Sequence, residues 1–151
     1  MYRFAICDDD PVDRAYLSRL IEEWNKSAGL LLKVEYYVSG EAFWFSYEED
    51  NSVDVLFLDI EMGEMSGVEL ANRLREAGAG LQIVFVTGYM EYIAEGYDVE
   101  ALHYLIKPIT SQKLNAVLDR AAQRLKTREH ALVLALSEGI VRLPLYEIRY
   151  L

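Results

Sequence analysis

The chain has 151 residues and a formal charge of −10, enough for one ordinary domain with a small appendage and a core that needs no disulfide or metal to staple it. The acidic balance excludes this stretch gripping nucleic acid by itself, because backbone binding relies on clustered Lys and Arg. Cys7 is the single cysteine, so an internal disulfide is excluded, and its place inside an apolar run marks a small buried residue in a reducing compartment.

Met1 leads straight into Phe4-Ala5-Ile6-Cys7, with no charged-then-apolar leader. No apolar stretch approaches the roughly 18 residues of a membrane helix, so a soluble cytoplasmic protein is expected. That first run is continuous, as a strand buried on both faces requires. Pro11 stands near a helix start, Leu17, Leu20, Ile21 and Trp24 share one helical face, and Gly29 is available for a left-handed cap. Leu31 to Val38 reads as a second strand, and Ser39 as the N-cap of a helix carrying Ala42, Phe43 and Phe45. Val53 to Leu58 is the third strand and the most apolar so far, hence central. A glycine-bearing loop, Glu61 to Gly67, leads into a helix with Leu70, Ala71 and Leu74 inward, and Ala77 to Gly80 is a break. Ile83 to Val86 is strand four, Tyr89 to Val99 is weakly patterned, and Leu102 to Ile106 is strand five. Thr110 or Ser111 starts a long helix with Leu114, Val117, Leu118, Ala121 and Leu125 inward. From Ala131 the pattern changes: Leu132 to Leu136, Ser137-Glu138-Gly139 and Ile140 to Leu143 look like a β-hairpin.

Strands alternating with helices imply an α/β, doubly wound five-stranded parallel sheet with a short β-rich C-terminal extension. A dinucleotide-binding half would need a glycine-rich turn after strand one, where this chain has Asp8-Asp9-Asp10, and three carboxylates there repel a pyrophosphate. Polar residues end the successive apolar runs at Asp8-Asp9-Asp10, Asp59, Thr87 and Lys107. An open α/β sheet binds ligands outside the carboxyl ends of its strands, so these groups converge although far apart in sequence. Phosphoryl transfer is mostly positioning and charge neutralisation. Mg²⁺ prefers hard oxygens and takes one or two carboxylates plus phosphate oxygens, which Asp8, Asp9 and Asp59 can supply. Asp59, ending the central strand, is the expected nucleophile. Lys107 can pair with it or its phosphoryl oxygens, and the Thr87 hydroxyl can donate to one of them. Lys107-Pro108 is a candidate cis peptide. Taken singly, Asp8-Asp9-Asp10 is equally a helix N-terminus, Asp59 a loop acid and Thr87-Gly88 a turn.

With these motifs in place, residues 1–126 resemble a two-component response-regulator receiver domain. The resemblance implies the flavodoxin-like strand order 2-1-3-4-5, Asp59 as phosphoacceptor, and Mg²⁺ held by Asp8, Asp9, Asp59 and the backbone carbonyl of Glu61, with Asp9 a direct ligand. It also implies Thr87 and Tyr104 as a switch pair and Lys107 as the phosphoryl-binding lysine, in a signalling domain that assists its own phosphotransfer and dephosphorylation rather than an enzyme. Ile83 to Tyr89 with Glu91-Tyr92, then Ala101 to Ile109, is similar to receivers attached to LytTR-type DNA-binding domains. Residues 139–145 and 147–151 are similar to the opening strands of that domain, so residues 127–151 are expected to be a linker and the start of a truncated effector.

The implied partners are a sensor histidine kinase, docking near Val12 to Tyr16 and the Asp59 loop, and a second copy of the chain. That copy would meet the face of the family's fourth helix, fifth strand and fifth helix, where Tyr89, Met90, Tyr92, Ile93 and Tyr97 lie in the first of these. DNA would be reached only through the missing remainder of the effector. Gly63 stands where the family commonly has proline, which should loosen that loop, and Glu61 and Tyr89 stand where the family tunes phosphoryl lifetime. His103 reads as a surface residue, and His130 has no metal partners nearby in sequence. Two other readings remain: a docking module that is never phosphorylated, and a Mg²⁺-dependent aspartate phosphohydrolase. The latter normally wants a second aspartate two residues after the first, where this chain has Glu61.

Overall fold

The computed structural model describes residues 1–88 and 103–137. In chain order it gives β1 (Tyr2–Cys7), α1 (Pro11–Ala28), β2 (Leu32–Tyr37), α2 (Gly40–Glu49), β3 (Val55–Asp59), α3 (Gly67–Glu76), β4 (Gln82–Thr87), β5 (His103–Ile106) and α4 (Ser111–Ser137). The five strands form one sheet in the order β2-β1-β3-β4-β5, with every neighbouring pair parallel. This is the doubly wound arrangement expected from the sequence. The weakly patterned segment over residues 89–99, expected to hold the family's fourth helix, lies outside the described residues.

Side chains alternate across the sheet because successive Cβ atoms in a strand point to opposite faces. Phe4, Ile6, Val55, Phe57, Val84, Val86 and Leu105 face α1 and α4, meeting Leu17, Ile21, Trp24, Leu114, Leu118 and Leu125. Ala5, Cys7, Leu56, Leu58, Ile83 and Phe85 face α2 and α3, meeting Phe43, Leu70, Ala71 and Leu74. Two covered faces explain why the strands are continuously apolar rather than alternating. In β3, the middle strand, every residue from Val55 to Asp59 is buried.

Local chemistry sets the helix ends. The Asp10 carboxylate accepts from the Val12 and Asp13 N–H groups, so Asp10 is the N-cap of α1 and Pro11 its first residue. Gly29 closes α1 at φ 68° and donates its N–H to the Asn25 carbonyl. Ser39 caps α2 through the Ala42 N–H, and Ser66 caps α3 through the Glu69 N–H. Phe45 stays exposed while Phe43 fills the core.

One expectation is corrected. Residues 131–137 are helical, the continuation of α4, and not the first strand of a hairpin. Val133, Leu134 and Leu136 are solvent-exposed there. Ala and Leu are strong helix formers, and a helix satisfies its own backbone groups, whereas a strand needs a neighbour to pair with. The rest of the predicted hairpin, residues 138–143, and the remaining residues to 151 lie outside the described residues. Among those described, no helix is long and apolar enough to cross a membrane.

Candidate functional site

The carboxyl ends of β1, β3, β4 and β5 bring together the residues singled out in the sequence. Asp59 ends β3 and Thr87 ends β4. Asp8 and Asp9 follow β1, and Lys107 follows β5. Carboxylate oxygens of Asp8, Asp9 and Asp59 all lie within 4.8 Å of one another, with Asp8 and Asp59 buried and Asp9 exposed. Three hard oxygen donors at that spacing fit Mg²⁺, which takes a few carboxylates and keeps waters on its open side. The run Asp8-Asp9-Asp10 therefore serves two purposes: its first two acids face the pocket, and its third caps α1.

The loop after Asp59 is folded back against the strand end. The Gly67 N–H donates to the Ile60 carbonyl at 2.8 Å. A Cβ on Gly67 would stand 2.2 Å from the Asp59 carbonyl oxygen, so only glycine lets α3 begin there. Met62 and Met65 are buried, and the Met65 N–H donates to Glu41 Oε1 at 3.1 Å. Gly63 has φ 26°, a conformation closed to proline, whose ring fixes φ near −65°. The glycine thus suits the backbone conformation of this loop.

Lys107 Nζ donates to three carboxylates, at 3.0 Å to Asp8 Oδ2, 2.8 Å to Asp13 Oδ2 and 3.5 Å to Asp59 Oδ2. The Lys107-Pro108 peptide is cis, as expected, and the Lys107 N–H donates to the Thr87 carbonyl at 2.8 Å, tying the β5 end to the β4 end. Burial pushes the Asp59 carboxyl up to about 7 and the Asp8 charge adds to that, while the Lys107 ammonium and a backbone hydrogen bond from Glu61 pull it back. Burial by itself lowers the Lys107 pKa, but the hydrogen bonds to Asp13 and Asp8 and the surrounding carboxylates outweigh it and hold the ammonium firmly charged.

Thr87 is fully buried. The Tyr104 ring stacks on Phe85, with centroids 5.5 Å apart and planes 18° apart, and packs against the α2/α3 side of the core. Burial pushes the Cys7 thiol up to about 12, so it is an inert core group, as its apolar run predicts. His103 is exposed at the start of β5 and His130 is exposed on α4. Sequence reasoning missed Asp13, which joins the site from the first turn of α1. Its position four residues after Asp9 on a helix whose N-terminus abuts the site was the available signal.

The response regulator receiver domain family matches residues 4–119. The chain belongs to that family. An uncharacterised response regulatory protein of Vibrio cholerae is 32% identical over 127 residues, which cover 83% of this receiver chain and 46% of that protein. The sensory transduction protein LytT of Bacillus subtilis is 28% identical over 160 residues, covering 99% of this chain and 64% of LytT. The chain thus spans between about half and two thirds of the length of these relatives. Among solved structures, the response regulator TrrA of Thermotoga maritima in complex with Mg²⁺ and BeF superposes with a TM-score of 0.68 at 24% identity. That match covers 80% of this chain and 99% of TrrA, and the shared receiver fold accounts for it.

Proposed function

We propose that this receiver accepts a phosphoryl group on Asp59 from a sensor histidine kinase, with Mg²⁺, and relays the change to a LytTR-type DNA-binding domain that residues 127–151 begin. The observation that carries the reading is the convergence at one strand end. The Asp59 carboxylate clusters with Asp8 and Asp9 and lies 3.5 Å from a lysine ammonium, with Thr87 at the end of the adjacent strand. The TrrA structure holds Mg²⁺ and a fluoroberyllate, and the match to LytT covers 99% of this chain but only 64% of LytT.

Chemically, an Asp59 oxygen forms the new O–P bond as the bond from phosphorus to the donor breaks, and the leaving imidazole takes up a proton. Bound by Asp8, Asp9, Asp59 and the Glu61 carbonyl, Mg²⁺ would neutralise charge on the phosphoryl oxygens. Asp59 must be ionised to attack, and Lys107 favours that form. Lys107 then pairs with a phosphoryl oxygen, and the Thr87 hydroxyl donates to another. Drawing Thr87 inward and turning Tyr104 shift the population of the face containing β5 and α4, through which two copies would associate. The kinase would dock beside Val12 and Tyr16, where Val12 is exposed and the Tyr16 hydroxyl donates to the Ile109 carbonyl beside the site. The setting for this chemistry is the cytoplasm.

Fluorine NMR of the protein with Be²⁺ and F⁻ tests the site without the kinase. A protein-bound fluoroberyllate signal that requires Mg²⁺ and disappears in Asp59→Asn is expected. A folded protein that binds Mg²⁺ yet takes no fluoroberyllate would instead favour a docking module that works unphosphorylated.

A further inference from the structure

One acid in the pocket has no part in the phosphoacceptor scheme just described. Asp13 projects from the first turn of α1, and its Oδ2 is the nearest carboxylate oxygen to Lys107 Nζ, at 2.8 Å against 3.0 Å for Asp8 and 3.5 Å for Asp59. An ammonium has three donors and no acceptor. In this arrangement each donor faces a carboxylate, and the longest of the three contacts is to the residue expected to carry the phosphoryl group. The Asp13 side chain is 39% exposed and that of Lys107 24% exposed, so the pair lies at the rim of the pocket, partly screened by water.

We propose that Asp13 is a positioning residue that competes with the phosphoryl group for Lys107 and so restrains the phosphorylated state. The inference rests on the phosphoacceptor reading of Asp59. Of the three acceptors around Lys107, Asp8 is claimed by the metal site and Asp59 becomes the acyl phosphate. Asp13 alone remains a plain carboxylate with the ammonium in hand. A charge-assisted hydrogen bond must therefore be shared or given up when Lys107 turns to a phosphoryl oxygen. The Asp13 charge also disfavours a dianion arriving nearby, so both effects act in the same direction. Because the pair is partly exposed, the effect belongs to the range of screened ion pairs, about 2–5-fold in binding. Asn in place of Asp13 keeps size and a carbonyl oxygen but removes the charge, and Glu restores the charge on a longer stem.

The test is fluoroberyllate titration at saturating Mg²⁺, followed by fluorine NMR, for the wild-type chain, Asp13→Asn and Asp13→Glu, with Mg²⁺ affinity measured separately. The expected result is fluoroberyllate affinity raised about 2–5-fold in Asp13→Asn, no gain in Mg²⁺ affinity alone, and return toward wild type in Asp13→Glu. A wild-type chain that binds fluoroberyllate while Asp13→Asn binds it equally or more weakly overturns the inference and leaves the Asp59 reading standing. Asp13→Glu behaving like Asp13→Asn also overturns it, by assigning the effect to helix geometry rather than charge. A wild-type chain that binds no fluoroberyllate overturns both.

Discussion

Asp59 illustrates how a residue poised for chemistry can weigh against the stability of its own fold. Its carboxyl is nine-tenths buried among other acids, and burial pushes it up to about 7 from an ordinary value near 3.8. A carboxyl whose pKa is raised on folding is favoured in its protonated form, so its contribution is fully present below pH 4. It is lost as pH rises from about 4 through 7. Without Mg²⁺, Asp59→Asn should therefore be more stable than wild type at pH 8, by about 1–3 kcal/mol, and the gap should close near pH 4. Thermal denaturation across that range checks it, and a gap that is constant with pH would contradict it. The same residue was legible in the sequence because it ends an apolar strand read as the central one. Asp13 was not, because its role depends on a contact spanning 94 positions to Lys107, and its local setting is that of any helix-starting acid.

At the scale of elements, what positions the site is how each strand hands over to the next segment. The Asp10 cap aims α1 away from the pocket while leaving Asp8 and Asp9 facing it. Gly67 brings α3 into contact with the backbone of Asp59 itself. Gly67→Ala should cost about 2–4 kcal/mol, since its Cβ would collide with backbone rather than with a movable side chain, and the shift it forces should also weaken Mg²⁺ binding. Urea denaturation and Mg²⁺ titration of that variant would show both losses; retention of wild-type values would mean that the loop accommodates a side chain. The caps at Ser39 and Gly29 and the helix start at Pro11 were readable from residue type and spacing. The end of α4 was not. Leu132 to Leu136 carries neither a clean helical nor a clean alternating pattern, and an unbroken apolar run fits a buried strand and a helix equally. The structure continues the helix, with Val133, Leu134 and Leu136 in solvent. Leu134→Glu should accordingly change the stability of this chain by less than about 0.5 kcal/mol, whereas a large loss would show that the side chain is buried.

Across the whole molecule, the acidic pocket and the exit of α4 lie at opposite ends of the sheet: Asp59 and Thr87 end their strands, whereas α4 meets the strand starts at Tyr2 and Asp54. Trp24 Nε1 donates to Asp119 at 2.8 Å, and Gln82 Nε2 to the Ala121 carbonyl at 3.2 Å, holding α4 along the sheet. Further on, the Tyr2 hydroxyl donates to Glu129, and Arg128 donates to Asp54, which also accepts from the Arg3 N–H. Burial raises the Asp54 carboxyl, and Arg3 and Arg128 hold it back. These contacts fasten the part of the helix that leads toward residues 138–151 onto the starts of β1 and β3. The double variant Tyr2→Phe, Arg128→Ala should speed amide exchange in residues 127–137 by about tenfold while leaving residues 114–125 protected. Unchanged protection of residues 127–137 in the double variant would show that the helix end holds itself. The two-faced sheet was legible from continuous apolar strands alternating with amphipathic segments, but this fastening was not, because it joins residues 74 and 127 positions apart.

Intact-protein mass spectrometry after incubation with acetyl phosphate and Mg²⁺ tests the central claim most directly, with Asp59→Asn alongside. A single phosphoryl adduct that requires Mg²⁺ and is absent from the variant is the predicted result; an adduct that persists in Asp59→Asn, or none at all on the folded wild-type protein, would contradict it.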